Sequence, residues 1–351
     1  MKILLLLLNN KSQGGMHNYA KILMTGYESI GYDVTLKFFN EITEEKISLN
    51  YFLSLKLGLS NKGICPVTNF CASFNLVHIT DSSFYAFPLI RKLCQKLKMV
   101  KFLYTMHDPE PHIEQVLYRK MKRLVILHSN KSLIKSTRCL DNFQVHVHSL
   151  KLIQNFSGIS LSRIVVTKHP IRAKAVLYKA KTAGITITFI GRIEFYKGID
   201  ILVAAIKRIS SAKENVRFII AGKGILSLVE TQNIKIRNYF LSDQEYDQIL
   251  SETDLLVLPY REGTQSGVLC NALENNIPVI ASNVGTFDEY ILNNETGFIL
   301  PSLTVDALVE SIEDFIFSPE KIESYSNRIA TYKSSFLAPN IAAQIIEEIY
   351  G

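Results

Sequence analysis

Residues 184–206 read GITITFIGRIEFYKGIDILVAAI. The stretch opens on a nearly unbroken apolar run, Ile185 to Ile190, of the kind found in a strand covered on both faces. After a polar turn, Gly198-Ile199-Asp200 starts a helix whose apolar face is Ile201, Leu202, Ala205 and Ile206. Strand, turn and helix in this order make half of a parallel βαβ unit. The same alternation recurs outward in both directions. KILLLLL, DVTLKFF, NLVHIT, VKFLYTM, RLVILH and SRIVVTK precede it, and VRFIIAG, IKIRNYF, DLLVLPY, PVIAS and GFIL follow it. Short apolar strands separated by amphipathic segments predict an α/β protein with parallel sheets covered on both faces.

The chain has 351 residues and is 47% hydrophobic, more than one ordinary domain needs, so two doubly wound domains are expected. The boundary falls near Lys168-His169-Pro170, where a strand meets a proline before the polar run RAKAVLYKAKTAG. From Pro319 onward the sequence reads as helices, and Pro339 suits the first turn of the last one. MKILLLLLNNKSQGG resembles a signal peptide, but its apolar run is short and no small-residue cleavage site follows, so it reads as a buried first strand. No other stretch approaches a membrane span, and the five cysteines form neither a C-x-x-C pair nor an even set; a soluble protein of the reducing cytoplasm is expected. Charge is asymmetric: 22 Lys and Arg stand against 10 Asp and Glu through residue 170, and 17 against 22 after it. Basic clusters at Arg91, Lys92, Lys96, Lys98, Lys101 and at Arg119, Lys120, Lys122, Arg123 point to an anionic partner, or else to solvated helix faces.

In open parallel sheets ligands collect beyond the carboxyl ends of the strands. Two such domains facing each other would make a cleft, so the residues after each strand are the candidates. Gly14 and Gly15 precede a helix, where the backbone can approach an anion; a tight turn without a ligand fits them equally well. His107-Asp108-Pro109 ends a strand and places an imidazole where it can touch a substrate hydroxyl or serve as a structural hydrogen-bonding group. His146 and His148 share a strand face but lack a third ligand for a metal. Arg192 and Lys197 lie in one strand-to-helix turn, with Glu194 the one acid between them. That pair suits a diphosphate, because Arg can grip two oxygens and Lys acts as a point charge.

Residues 260–281, YREGTQSGVLCNALENNIPVIA, repeat the arrangement after the strand DLLVLP. Ser266, or Thr264 before it, caps a helix that runs until Asn276 and Pro278 stop it. The amides of Gly267 and Val268 are then left facing outward at the positive end of the helix dipole.

Together GG-MHNYA, HDPEPH, GRIEFYKG and TQSGVLCNALENNIPVIASNVGTFDEYILNNETGFILP resemble the family-4 glycosyltransferases of GT-B fold, over most of the chain and most specifically in its second half. The resemblance implies two facing Rossmann-like domains. Residues 1–170 would form the acceptor side and 171–335 the nucleotide-sugar side, with 336–351 a C-terminal helix returning to the first domain. It implies a metal-independent transfer of a hexose, with retention at the anomeric carbon, from a nucleotide sugar such as a UDP- or GDP-sugar. The acceptor would be a glycan or lipid-linked intermediate of surface polysaccharide biosynthesis, lipopolysaccharide or capsule. No cofactor is implied beyond the sugar nucleotide. The expected location is the cytoplasm, with peripheral contact at the inner face of an anionic membrane through the basic first half.

Carried over residue by residue, His107, Arg192 and Lys197 would serve catalysis. Gly14, Gly15, Thr264, Gln265, Ser266, Gly267, Val268, Asn271 and Glu262 would hold the donor, and His17 and Asp108 would lie on the acceptor side. This chain departs from the family in lacking its two glutamates eight residues apart: Gly263 and Asn271 stand there instead. Glu262 or Glu274 would be the substitute, unless both are exposed helix-surface carboxylates. Asn271 can still exchange hydrogen bonds with a ribose. Two other readings stand beside this one: a nucleotide-sugar epimerase of the same fold, and a catalytically silent subunit that recruits a partner to the membrane. Nucleic-acid binding finds no module here.

Overall fold

The computed structural model describes residues 1–8, 15–43, 64–80, 87–107, 128, 131–135, 137, 140–154, 160–174, 184–210 and 215–351. Gly14, Asp108, the cluster Arg119 to Arg123 and most of the RLVILH run lie outside the described residues; His128, at the end of that run, is helical. Two compact units result. One comprises Met1–Arg172 with Ser335–Gly351, the other Ala173–Ser334.

In the first unit β1 (Lys2–Leu7), β2 (Asp33–Phe38), β3 (Leu76–Ile79), β4 (Lys101–Thr105), β5 (Phe143–Val147) and β6 (Ile164–Val166) form one sheet in the order β2-β1-β3-β4-β5-β6. Every pairing is parallel. Because side chains alternate along a strand, the continuous apolar run of β1 supplies two cores. Leu4, Leu6 and Leu8 face one, with Val77, Phe102 and Val145. Ile3 and Leu5 face the other, with Tyr19, Leu23 and Tyr27 of the helix Gly15–Ser29 and Ile341, Ala342 and Ile345 of the helix Ala338–Tyr350. Those two helices approach so closely that a methyl at Gly26 would overlap the Ala338 carbonyl.

The second face also buries polar groups, which must therefore find partners. Tyr27 Oη lies 3.2 Å from His78 Nδ1, His78 Nε2 is 2.6 Å from Thr105 Oγ1, and that oxygen is 3.0 Å from His146 Nδ1. His146 Nε2 is 2.8 Å from Thr167 Oγ1, which donates to the Lys168 carbonyl. One assignment of protons satisfies the whole series: tyrosine to His78, His78 to Thr105, Thr105 to His146, His146 to Thr167. It requires both imidazoles to be neutral.

The second unit holds β7 (Ile185–Ile190), β8 (Val216–Ala221), β9 (Ile234–Arg237), β10 (Leu255–Leu258), β11 (Val279–Ala281) and β12 (Gly297–Ile299), in the order β12-β11-β10-β7-β8-β9. All are parallel. Strand order reverses at the β7–β10 pair: from β7 the chain moves outward to β8 and β9, then returns to lie on its other side as β10. The loops leaving β7 and β10 therefore lie side by side at the carboxyl ends of these strands, the usual ligand position in an open α/β sheet.

Candidate functional site

The two loops at that reversal carry the candidate residues of the second unit. After β7, Gly191 and Arg192 lead into a short turn of 3-10 helix, Phe195–Lys197. Gly198 closes it at φ +66°, and the helix Ile199–Ser210 follows. Gly198 is required twice over: its left-handed backbone favours glycine, and a side-chain carbon there would overlap the Pro259 carbonyl at the end of β10. The turn points Lys197 inward, where the residue is 8% exposed. Its ammonium donates to Tyr260 Oη at 3.0 Å and stands 4.8 Å from the centre of the Tyr260 ring. Among the described residues it makes no ion pair. Burial pushes the Lys197 pKa down, against which Tyr196 acts in the opposite direction. A desolvated cation held by a hydroxyl and a ring is matched by an incoming anion.

Arg192 stays near the surface, its side chain 64% exposed, and reaches Glu194 at 3.1 Å. Glu194 is thus the partner of Arg192, while the Lys197 ammonium rests on Tyr260.

After β10, Arg261 ties the second loop to the first. Its guanidinium binds both carboxylate oxygens of Asp200, at 2.7 and 2.6 Å, and the Phe195 carbonyl at 2.9 Å, while its amide donates to the Tyr196 carbonyl. The hydrogen bonds from Arg261 hold the Asp200 carboxyl below its ordinary range. Further along, the Thr264 carbonyl accepts from the amide and hydroxyl of Thr286, each at 3.1 Å. Ser266 caps the helix Gly267–Glu274, its Oγ accepting from the Leu269 amide at 3.3 Å. The first intrahelical bond runs from Cys270 N to Ser266 O, so the Gly267 and Val268 amides precede the helical ladder. Gly267 faces open space.

The cation and the helix start meet at Gly191. A methyl placed there would lie 3.0 Å from Lys197 Nζ and 3.6 Å from Val268 Cγ2. The geometry thus brings together Arg192, Lys197, Ser266, Gly267 and Val268. Gln265 lies beside them, half-buried, with a buried Nε2 that finds no partner among the described residues.

Asn271 is half-buried and donates through Nδ2 to Tyr246 Oη at 3.1 Å, which leaves Oδ1 as its remaining side-chain acceptor. Glu274 is 1% exposed, with Lys174 Nζ 4.0 Å from its carboxylate and Lys333 Nζ on its carbonyl at 2.8 Å. An exposed helix-surface role for Glu274 is therefore wrong. The helix turns this side chain inward because residues 270, 273 and 274 share its buried stripe. Glu262 is half-buried in the loop.

In the first unit His107 follows β4 and is 5% exposed; its Nε2 donates to the Thr80 carbonyl at 2.9 Å. Its ring packs edge-on against Tyr19 at 4.5 Å and tilted against His148 at 5.2 Å. His17 is half-buried beside Phe38, 5.5 Å between ring centres. Gly15 begins the first helix with open space at its α-carbon. Gly14 and Asp108 lie outside the described residues. Among the described residues no His, Cys, Asp and Glu group of three or more is placed to hold a metal ion, and no helix is long and apolar enough to cross a membrane.

The sequence reading passed over Tyr260 and Arg261, which hold the two loops in register. Tyr260 lies at the end of an apolar strand and reads as one more core residue; Arg261 and Asp200 are distant in sequence, and only the fold pairs them.

This α/β architecture is the GT-B fold of glycosyltransferases. Anabaena HepE in complex with UDP superposes on the chain with a TM-score of 0.72 over 99% of each chain, at 16% identity. Residues 175–332 match the family Glycosyl transferases group 1. A 41.2 kDa protein of the cps region of Klebsiella pneumoniae is 25% identical over 262 residues, 68% of this chain and 69% of its own length. The capsular polysaccharide biosynthesis glycosyltransferase CapM of Staphylococcus aureus is 28% identical over 174 residues, 46% of this chain and 43% of its own.

Proposed function

We propose that the protein is a retaining glycosyltransferase of the family-4 kind. It takes a hexose from a UDP- or GDP-sugar, without a metal, and adds it to a glycan or lipid-linked acceptor of capsule or related surface polysaccharide synthesis. The observation that carries this reading is the juxtaposition of Lys197 with the start of the helix Gly267–Glu274 at the sheet's topological reversal. As the glycosidic bond to a nucleoside diphosphate breaks, negative charge grows on the leaving phosphate. Fixed cations and amides aimed there lower the barrier, and losing one such group costs on the order of 10² to 10³ in rate. Arg192, exposed beside Lys197, would turn from Glu194 onto the same phosphates, and Gln265, Thr264 and Glu262 would line the sugar side. Asn271 offers Oδ1 to the ribose. His107 would touch the donor sugar, with Gly15 near the diphosphate and His17 toward the acceptor.

The relatives support the substrate class: HepE was crystallised with UDP, and CapM is a capsular polysaccharide biosynthesis glycosyltransferase. A silent recruiting subunit would gain nothing from a buried lysine without an ion pair, since such a group costs stability unless an anion meets it. Exposed groups in the first unit support contact with an anionic membrane: Arg91, Lys96 and Lys98 are exposed, and Met99, next to Lys98 in the chain, is 94% exposed.

Nucleotide sugars screened by thermal shift identify the donor, because a ligand that binds the native state alone raises its melting temperature. Lys197→Ala is expected to abolish both that shift and transfer, by about 10²-fold or more in kcat/KM. A variant with full activity would overturn the reading. Proton NMR of the first product formed gives the anomeric configuration.

A further inference from the structure

Beyond β7, on the side away from β10, the second sheet ends in β8 and β9. Lys223 leaves β8 and Phe240 follows β9, and the Lys223 ammonium stands 4.9 Å from the centre of the Phe240 ring. Both side chains lie in water, the phenylalanine 73% exposed. The loops that carry them are nonetheless fixed to each other: the Gly224 amide donates to Asn238 Oδ1 at 3.0 Å, and the Gly222 amide donates to the Arg237 carbonyl at 2.9 Å. They are also fixed to the turn that bears Arg192 and Lys197. The Ile193 amide donates to the Lys223 carbonyl at 3.0 Å, and a methyl at Gly224 would overlap the Ile193 carbonyl. Tyr239 is held back by its hydroxyl, which donates to Glu245 at 2.9 Å; Phe240 has no polar handle and still projects. Since β9 lies two strands from β7, the ring sits about 10 Å across the sheet from the Lys197 turn. That is the reach of a ribose and its base from a phosphate held at Lys197.

We infer that Phe240 is the stacking surface for the nucleobase of the donor and that Lys223 reads the edge of that base. The inference rests on the donor-site reading above and deepens it by assigning the class of base. An exposed ammonium is held over an aromatic ring by only about 2- to 5-fold. Stacking of a base on such a ring is worth about 5- to 150-fold. An arriving base therefore displaces the ammonium from the ring face, and the phosphates at Lys197 fix where it lands.

The displaced ammonium remains tethered at the rim of the ring. It can only donate hydrogen bonds, so a carbonyl oxygen on the base matches it and an amino group does not. Uracil and guanine carry an oxygen at the ring position where cytosine and adenine carry an amino group. The site accordingly takes a nucleotide of uracil or guanine in preference to one of cytosine or adenine.

The test uses the full chain with UDP, GDP, CDP, ADP and inorganic pyrophosphate as probes, titrated calorimetrically. Wild type is compared with Phe240→Ala, Phe240→Tyr and Lys223→Met; both positions are exposed, so the variants should unfold in urea as wild type does. Phe240→Ala should bind the preferred nucleotide about 10-fold more weakly, within the range for a lost stacking contact, and bind pyrophosphate as before. Phe240→Tyr should keep nucleotide affinity. Lys223→Met should narrow the preference for UDP over CDP, or for GDP over ADP, by about 10-fold, as for loss of a hydrogen bond to a charged group. Wild-type nucleotide affinity in Phe240→Ala, or an unchanged base preference in Lys223→Met, with Lys197→Ala still defective, would refute the inference and leave the donor site standing. Equal losses for nucleotide and pyrophosphate in Phe240→Ala would also refute it, since pyrophosphate has no base to stack. Indifference of wild type to every probe would refute both.

Discussion

Acidification should unfold the first unit in a range where most proteins of this size are still stable. His78, His146 and His148 are each 0% exposed. Burial lowers the pKa of all three; His78 falls to about 3, with His107 adding to the effect, and His146 and His148 fall well below the ordinary value. In the unfolded chain each would titrate near 6.5. A depressed folded-state pKa means that below about pH 6.5 the unfolded chain takes up protons that the folded chain refuses, so stability falls as pH falls. Each refused proton costs roughly 1.4 kcal/mol per pH unit, so at about pH 5.5 the three together cost about 4 kcal/mol. That is a large share of the 5–15 kcal/mol that typically holds a domain together.

The hydrogen-bond series gives the structural reason. A proton added at His146 Nδ1 would meet the Thr105 hydroxyl at 3.0 Å, whose oxygen already takes the His78 Nε2 proton at 2.6 Å. The Thr105 proton would then lose its acceptor. His148 already donates Nδ1 to the Thr167 carbonyl at 3.3 Å, and among the described residues its buried Nε2 has no partner that could receive a new proton. Urea unfolding followed at a series of pH values, with proton uptake measured by calorimetry in buffers of different ionisation heat, should show at least three protons bound on unfolding near pH 5, His169, which burial lowers to about 4, adding to those of His78, His146 and His148. His78→Gln should remove one of them. Stability that is flat between about pH 7.5 and 5, or uptake unchanged in His78→Gln, would refute the argument.

Two further perturbations test other parts of the structure. Gly198→Ala forces a side chain into a backbone at φ +66° and against the Pro259 carbonyl; it should cost about 1–3 kcal/mol in urea unfolding and weaken nucleotide binding, because Lys197 is the preceding residue. Liposomes containing anionic lipid should sediment with the protein at low salt and release it at high salt, each of Arg91, Lys96 and Lys98 contributing roughly 1 kcal/mol; a protein that stays in the supernatant at low salt would remove the membrane proposal.

Much of the architecture was legible because the physics behind it is local. Apolar runs such as Ile185–Ile190 and Leu255–Leu258 can be recognised as strands covered on both faces, whatever they pair with, and Ser266 announces a helix start through its own side chain. The Arg192 and Lys197 turn was legible for the same reason, as two cations placed where a strand gives way to a helix. Harder to read were the roles that depend on which loops meet. Glu274 reads as a surface carboxylate by type, and only the packed helix shows it buried beside Lys174. Tyr260 reads as core by hydropathy, and only the approach of the β7 turn gives its hydroxyl a lysine to hold.

By itself, then, the sequence determined the strands, the helix starts and the charges between them, since strand burial and helix capping are set within a few residues. The tertiary structure alone decided the order β12-β11-β10-β7-β8-β9, and with it the meeting of two loops more than sixty positions apart. That order arises from crossover connections that bury both faces of a sheet at once, and no short stretch of chain encodes such a balance.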